Sequence, residues 1–277
     1  MIKHNIRGIN VVEFGEQNSP AVVLIHSFPF CNRMWDKQVE VLQKSYRVVA
    51  PDLRSFGYSD PGDGIYTIDT HVSDLISIID SLQLDKPIIC GLSMGGYIAL
   101  RAVELYQPKF KGVILADTKA EADTNPFKVK RYEQIRMIRN GQREQFTDNF
   151  IKGAITEKNY TEKPDIVETL KKIISWQSDK AIMSALLTMA ARTDTTDSLE
   201  KFDLPLLIIA GKEDKLTPPE YSKIIYGKTK NSDLKLINDA GHMSNIENPD
   251  EFNNAILDFL KAFKPKEKPA DQTSEQK

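Results

Sequence analysis

The chain has 277 residues, 40% of them hydrophobic, and its 37 basic and 39 acidic side chains leave a formal net charge of -2. That balance lacks the clustered basic surplus of a nucleic-acid binder or a polybasic membrane anchor, so neither nucleic acid nor membrane is expected as a partner. The length allows one large core or a core with an insertion, and no run approaches the roughly 18 apolar residues of a spanning helix.

The start, Met1 to Arg7, has no apolar stretch of signal-peptide length, which makes the cytoplasm the expected location. Ile9 to Phe14 alternates imperfectly and reads as an antiparallel edge strand. Ala21 to His26 is an apolar strand run, Arg33 to Gln43 a helix pattern, and Tyr46 to Ala50 a further strand. Thr70 to Leu82 then reads as helix, Pro87 to Cys90 as strand, Tyr97 to Tyr106 as helix and Val113 to Ala116 as strand. Runs such as Val22 to Ile25 are apolar throughout, as expected for strands covered on both faces, and the alternation predicts an α/β fold with a mostly parallel sheet.

From about Ala120 to Thr196 the alternation stops. Only helical stretches follow, at Phe127 to Arg139, Glu144 to Phe150, Pro164 to Trp176 and Lys180 to Arg192, which predicts a helical insertion. Strand and helix then resume with Pro205 to Ala210, Pro219 to Tyr226, Leu234 to Asn238 and Asp250 to Phe263. Residues 264–277 carry no large apolar side chain and are expected to be a disordered tail. The two cysteines, Cys31 and Cys90, sit beside or within apolar segments and are expected to be buried, unpaired thiols.

The most informative segment is Pro87-Ile88-Ile89-Cys90-Gly91-Leu92-Ser93-Met94-Gly95-Gly96-Tyr97. Gly91-x-Ser93-x-Gly95 is a modest pattern alone, but here it joins an apolar strand to a helix pattern, where a sharp turn holds a serine hydroxyl clear of the backbone. Such a turn strains the serine and leaves no room for side chains two residues to either side, which glycine answers. A serine hydroxyl needs a base, and in this arrangement the base follows the nucleophile in the chain. Of the four histidines, His4, His26, His71 and His242, only His242 satisfies that order; His4 reads as a surface residue and His71 as part of a helix start. The imidazole needs an acid partner, and Asp214, after the strand ending at Ala210, is favoured over Asp117, after the strand ending at Ala116, and over Glu213. Order alone admits both aspartates. Oxyanion donors are expected from the backbone N–H of Met94, which follows the nucleophile, and of Phe28, in the loop His26-Ser27-Phe28-Pro29.

These segments, with Pro51-Asp52-Leu53-Arg54-Ser55-Phe56-Gly57-Tyr58-Ser59-Asp60, Gly211-Lys212-Glu213-Asp214 and Ala240-Gly241-His242, resemble the α/β-hydrolase superfamily from about residue 9 to 263. Within it the chain is similar to small carboxylesterases grouped with 3-oxoadipate enol-lactonases, through the stretch Leu115 to Thr124. Ser27 and Ser55 depart from the pattern, since the family usually has glycine or alanine at the first position and glycine at the second. The resemblance implies a hydrolase core at 1–119 and 197–263, a helical cap at 120–196 inserted after the sixth strand, a Ser93-Asp214-His242 triad, and Phe28 and Met94 as oxyanion donors. It implies hydrolysis of a small-molecule ester or lactone through an acyl-enzyme. Enol-lactone hydrolysis, perhydrolysis as in cofactor-free haloperoxidases, and a non-catalytic ligand binder on the same fold are the alternatives.

No metal or cofactor is implied, and homo-oligomerisation stays open. Lys128, Lys130, Arg131, Arg136, Arg139 and Arg143 form a basic run opposed locally only by Glu133. Such a run is ordinarily a solvated helix face, and next to a site it attracts anions. Phe127, Tyr132, Phe146, Phe150 and Trp176 are expected to pack the inserted helices first and to line an acyl pocket second.

Overall fold

The computed structural model describes residues 1–263, so the tail read at 264–277 lies outside the described residues. Eight strands form one sheet: β1 (Ile2–Ile6), β2 (Ile9–Phe14), β3 (Ala21–Ile25), β4 (Arg47–Pro51), β5 (Ile88–Leu92), β6 (Gly112–Ala116), β7 (Leu206–Gly211) and β8 (Ser232–Ile237). Their spatial order is β1-β2-β4-β3-β5-β6-β7-β8. From β4 across to β8 every pairing is parallel, while β2 runs antiparallel to both β1 and β4. Parallel pairing needs crossovers, and α1 (Asp36–Leu42), α2 (Ile68–Ser81) and α3 (Met94–Tyr106) supply those of the first half. Every residue of β3, β5, β6 and β7 is buried, which explains their unbroken apolar composition.

The first strand run is corrected in one respect. Ile9 to Phe14 is antiparallel as expected, but it is not the edge; β1, which the sequence analysis missed, lies outside it. The imperfect alternation has a physical cause. Glu13 is buried within β2, where its carboxylate accepts hydrogen bonds from Arg47 Nε and pairs with His4 Nε2, each at 2.8 Å. An ion pair thus occupies a core-facing position, and His4 is its half-buried partner rather than a free surface residue.

Between β6 and β7 the chain forms five helices: α4 (Asn125–Arg139), α5 (Arg143–Ala154), α6 (Glu157–Glu162), α7 (Pro164–Ser175) and α8 (Asp179–Ala190). The α6 turn is too short to show a period, and so escaped the sequence analysis. Two side chains cap these helices, Thr156 Oγ1 accepting from Asn159 N–H and Ser178 Oγ from Ala181 N–H. In α7 the buried Ile166, Leu170, Ile173 and Ile174 repeat at helical spacing, and truncating Leu170 to alanine would cost about 3 kcal/mol. The core resumes after β7 with α9 (Pro219–Lys228), and after β8 with α10 (Ser244–Glu247) and α11 (Pro249–Leu260). Cys31 and Cys90 are both buried and free, as expected. Among the described residues, no helix is long and apolar enough to cross a membrane.

Candidate active site

Five loops converge at the carboxyl ends of the parallel strands, where open α/β sheets place their ligands. The turn between β5 and α3 holds Ser93 at φ 52, ψ -110, a conformation that costs a non-glycine residue energy and must be enforced by its surroundings. Enforcement comes from both sides of the backbone. Ser93 N–H donates to the Ala116 carbonyl at 2.9 Å, and the Ser93 carbonyl accepts from Thr118 Oγ1 at 2.8 Å. The flanking glycines are required by contact: a Cβ on Gly91 would lie 2.2 Å from the Gly95 carbonyl oxygen, and one on Gly95 would lie 2.2 Å from that of Ile25. Strand and helix therefore meet closely enough to lift the hydroxyl into the site.

His242, in the loop after β8, brings Nε2 to 2.8 Å from Ser93 Oγ. Its Nδ1 lies 2.8 Å from Asp214 Oδ2, so one imidazole spans hydroxyl and carboxylate. Asp214 is fixed by a local turn in which its Oδ1 accepts from Leu216 N–H at 2.8 Å and Thr217 N–H at 2.9 Å. Thr217 Oγ1 adds a bond of 2.7 Å to Asp214 Oδ2 and stands 3.1 Å from His242 Nδ1. The sequence analysis missed Thr217, although the Asp-x-x-Thr spacing before a proline-started helix is a readable turn signal.

The other two acid candidates do not bond the ring. Glu213 is exposed. Asp117 is fully buried near His242, but its Oδ1 accepts from Gly211 N–H at 2.8 Å and its Oδ2 from Ser244 Oγ at 2.5 Å. Burial, and then the charge of Asp214, push the Asp117 carboxyl up to about 8. For His242 burial disfavours the charged ring, but Asp214 outweighs it through charge and hydrogen bond, with Asp117 and Glu247 adding, so the pKa is raised.

The loop after β3 is held by His26. Its Nδ1–H donates to the Ser27 carbonyl at 2.9 Å, its Nε2 accepts from Leu53 N–H at 2.8 Å, and burial keeps the ring neutral by lowering its pKa. Ser27 is buried in this loop, its N–H directed to Met34 Sδ at 3.1 Å. Phe28 follows and its ring lines the pocket beside Ser93, while Met94 opens α3, where first-turn amides lack helical acceptors.

The pocket, with about 620 Å³ of empty space including its mouth, is bounded by Phe28, Tyr97, Phe127, Phe150, Met189 and Leu216. Phe150 meets Phe28 edge to face at 5.7 Å, with Phe146 buried behind them. Phe127 and Phe150 thus line the pocket, whereas Tyr132 and Trp176, both half exposed, pack neither pocket nor core.

The basic run is divided. Lys130 and Arg131 line the pocket, while Arg136 and Arg139 are exposed. Glu133 is not its only counter-charge: Arg143 pairs with Asp179, and Arg131 Nε bonds to the buried Asp123. Asp123 also accepts from Arg192 at 2.6 Å and lies 3.7 Å from Lys119 Nζ. Burial opposes the charge of Asp123, yet Arg131 and Arg192 hold its carboxyl below the ordinary range. Arg192 in turn stacks on Tyr97 at 4.1 Å. The sequence analysis gave neither Asp123 nor Lys119 a role, because the cluster closes only when Arg192, 69 positions further along, reaches Asp123.

A strand-turn-helix serine, a histidine after the last strand and a carboxylate after the strand before it define a class. The chain belongs to the α/β hydrolase fold family, whose family model matches residues 20–249. It is 28% identical over 261 residues to 3-oxoadipate enol-lactonase 2 of Acinetobacter baylyi, spanning 92% of this chain and 94% of that protein. Among solved structures, a thermophilic esterase from Thermogutta terrifontis with malate bound superimposes with a TM-score of 0.88 at 30% identity, covering 95% of this chain and 99% of that one. A bromoperoxidase from Bacillus anthracis gives 0.84 at 29% identity, over 94% and 99% of the two chains.

Proposed function

We propose that the protein is a serine hydrolase that cleaves small carboxylic esters or lactones through an acyl-enzyme. The observation that carries this reading is the continuous line from Asp214 Oδ2 to His242 Nδ1 and from His242 Nε2 to Ser93 Oγ, 2.8 Å at each step. Ser93 Oγ attacks the carbonyl carbon as its proton passes to His242 Nε2, and Asp214 holds the ring tautomer and stabilises the imidazolium. The oxyanion is received by the N–H groups of Phe28 and Met94. Collapse expels the alkoxide, which takes the proton from His242, and water repeats the sequence to release the acid. In this reading residues 120–196 form a cap over a core at 1–119 and 197–263, and α4 and α5 contribute the outer pocket wall. The names of the relatives, an esterase and an enol-lactonase, support the same chemistry.

A narrower reading, a lactone or ester bearing a carboxylate as in 3-oxoadipate enol-lactone hydrolysis, is favoured by Arg131 in the pocket wall, fastened by buried Asp123. The bromoperoxidase likeness keeps perhydrolysis as an alternative acceptor reaction of the same acyl-enzyme. The test is a fluorophosphonate probe, expected to label the native protein and leave Ser93→Ala unlabelled. Equal labelling of both would end the hydrolase reading and leave a ligand binder on this fold.

A further inference from the structure

The carboxylate of Glu247, at the end of α10, is buried and reaches neither Ser93 nor His242 by a hydrogen bond, yet it joins the two parts of the site. Its Oε1 accepts from Gly241 N–H at 2.8 Å, in the residue immediately before His242. Its Oε2 accepts from Thr156 N–H at 2.8 Å, at the N-cap of α6, and from Asn159 Nδ2 at 2.9 Å, within α6. Three neighbouring bonds complete the joint: His242 N–H donates to the Ala154 carbonyl at 2.8 Å, Asn159 Nδ2 to the Asp239 carbonyl at 2.9 Å, and Lys163 Nζ to the Glu247 carbonyl at 3.3 Å. The fit is close, since a Cβ on Gly241 would lie 3.1 Å from the Ala154 carbonyl oxygen and 3.2 Å from Glu247 Oε1.

Ala154 ends α5, the helix that carries Phe150 into the pocket wall against Phe28. The residue that ends this wall helix is therefore bonded directly to the backbone of the base. A buried carboxylate holding donors from both sides gives that contact a fixed register, and losing it would leave buried amides unpaired.

We infer that Glu247 is a positioning residue that fastens the pocket-walling helices to the loop carrying His242, so that wall and base keep one register through turnover. The inference rests on the serine-hydrolase reading. Burial raises the Glu247 pKa against the hydrogen bonds that favour its charge, and the charge it carries adds to that of Asp214, from the loop after β7; Asp117, just after β6, faces the same ring with its carboxyl pushed up, while Lys130 and Arg131 face the pocket from α4.

The test compares wild type, Glu247→Gln, Asn159→Ala and Ser93→Ala on a short-chain nitrophenyl ester across pH, with folding followed by circular dichroism. Glu247→Gln should lower kcat/KM by about tenfold, the scale of a small misplacement of reacting groups. It should also move the acid limb of the profile to lower pH, because one negative charge fewer holds the His242 proton. Asn159→Ala leaves that charge in place and removes one donor on the α6 side. It also frees the Asp239 carbonyl, and it should raise KM by about threefold to tenfold, the scale of lost buried hydrogen bonds, with the limb unmoved. An acid limb unmoved in Glu247→Gln overturns the inference, whether or not kcat/KM falls, because loss of structure alone would not move it. If Glu247→Gln does not fold, an unchanged KM in Asn159→Ala overturns the inference. Activity surviving in Ser93→Ala would instead overturn the serine reading, and this inference with it.

Discussion

Asp117 and Asp214 follow adjacent strands beside one imidazole, but only Asp214 reaches the ring, at 2.8 Å, while Asp117 turns both oxygens to Gly211 and Ser244. Asp214→Asn should lower kcat by on the order of ten-thousand-fold, because an amide can leave the ring in the wrong tautomer. Burial pushes the Asp117 carboxyl up to about 8 and neither of its oxygens reaches the ring, so Asp117→Asn should cost less than about tenfold. Steady-state kinetics of the two variants decide the matter, and the reverse ranking would move the acid to β6.

Only neutral imidazole can take the proton of Ser93. Since Asp214 raises the His242 pKa above its ordinary 6.5, kcat/KM should rise with pH through a limb centred above that value. The protonated form dominates below the limb, where activity is lost. A rate constant across pH 5 to 9 on an ester limited by acylation would contradict this assignment.

The divided basic run separates a pocket effect from a surface effect. Arg131→Gln should reduce kcat/KM for a carboxylate-bearing lactone and leave a neutral short-chain ester little changed, whereas Arg136→Gln should affect neither by more than about twofold, its exposed charge being screened. Adding Lys130→Gln should deepen the loss at low salt more than at high salt. Equal values on both substrates would reduce the run to a solvated helix face and favour a general esterase.

Close packing beneath Ser93 can be tested at Gly95. A methyl there would lie 2.2 Å from the Ile25 carbonyl oxygen and 2.9 Å from that of His26, and backbone at a strand end has little freedom to retreat. Gly95→Ala should destabilise the fold by on the order of 3 kcal/mol and displace Ser93 from His242. Urea unfolding and ester turnover measure the two effects, and wild-type stability would show that α3 can shift.

Much of the site was legible because its backbone demands are written in residue type. Gly91 and Gly95 mark the sharp turn, and His242 is the one histidine that follows Ser93 at a strand end. The sequence analysis favoured Asp214 without excluding Asp117, since both follow strands at the same sheet end and differ in where their oxygens point. Arg131 could be read as a charge but not as a wall residue, because Asp123, which orients it, is itself held by Arg192 from the far end of the inserted segment. β1 escaped notice because its five residues, three exposed and two half-buried, carry no clear period. Glu247 gave no signal at all, since its three donors come from residues six to 91 positions away in the chain.

The backbone at residue 93 also limits which nucleophiles the turn can host. At φ 52 an unbranched side chain is strained but tolerated, whereas a second substituent on Cβ crowds the backbone and makes the conformation a true outlier. Cysteine therefore fits where threonine does not, and Ser93→Cys should melt near the wild-type temperature while Ser93→Thr melts lower. Thiol esters lie within one substitution of this scaffold; a secondary alcohol is barred by geometry before its reactivity can matter.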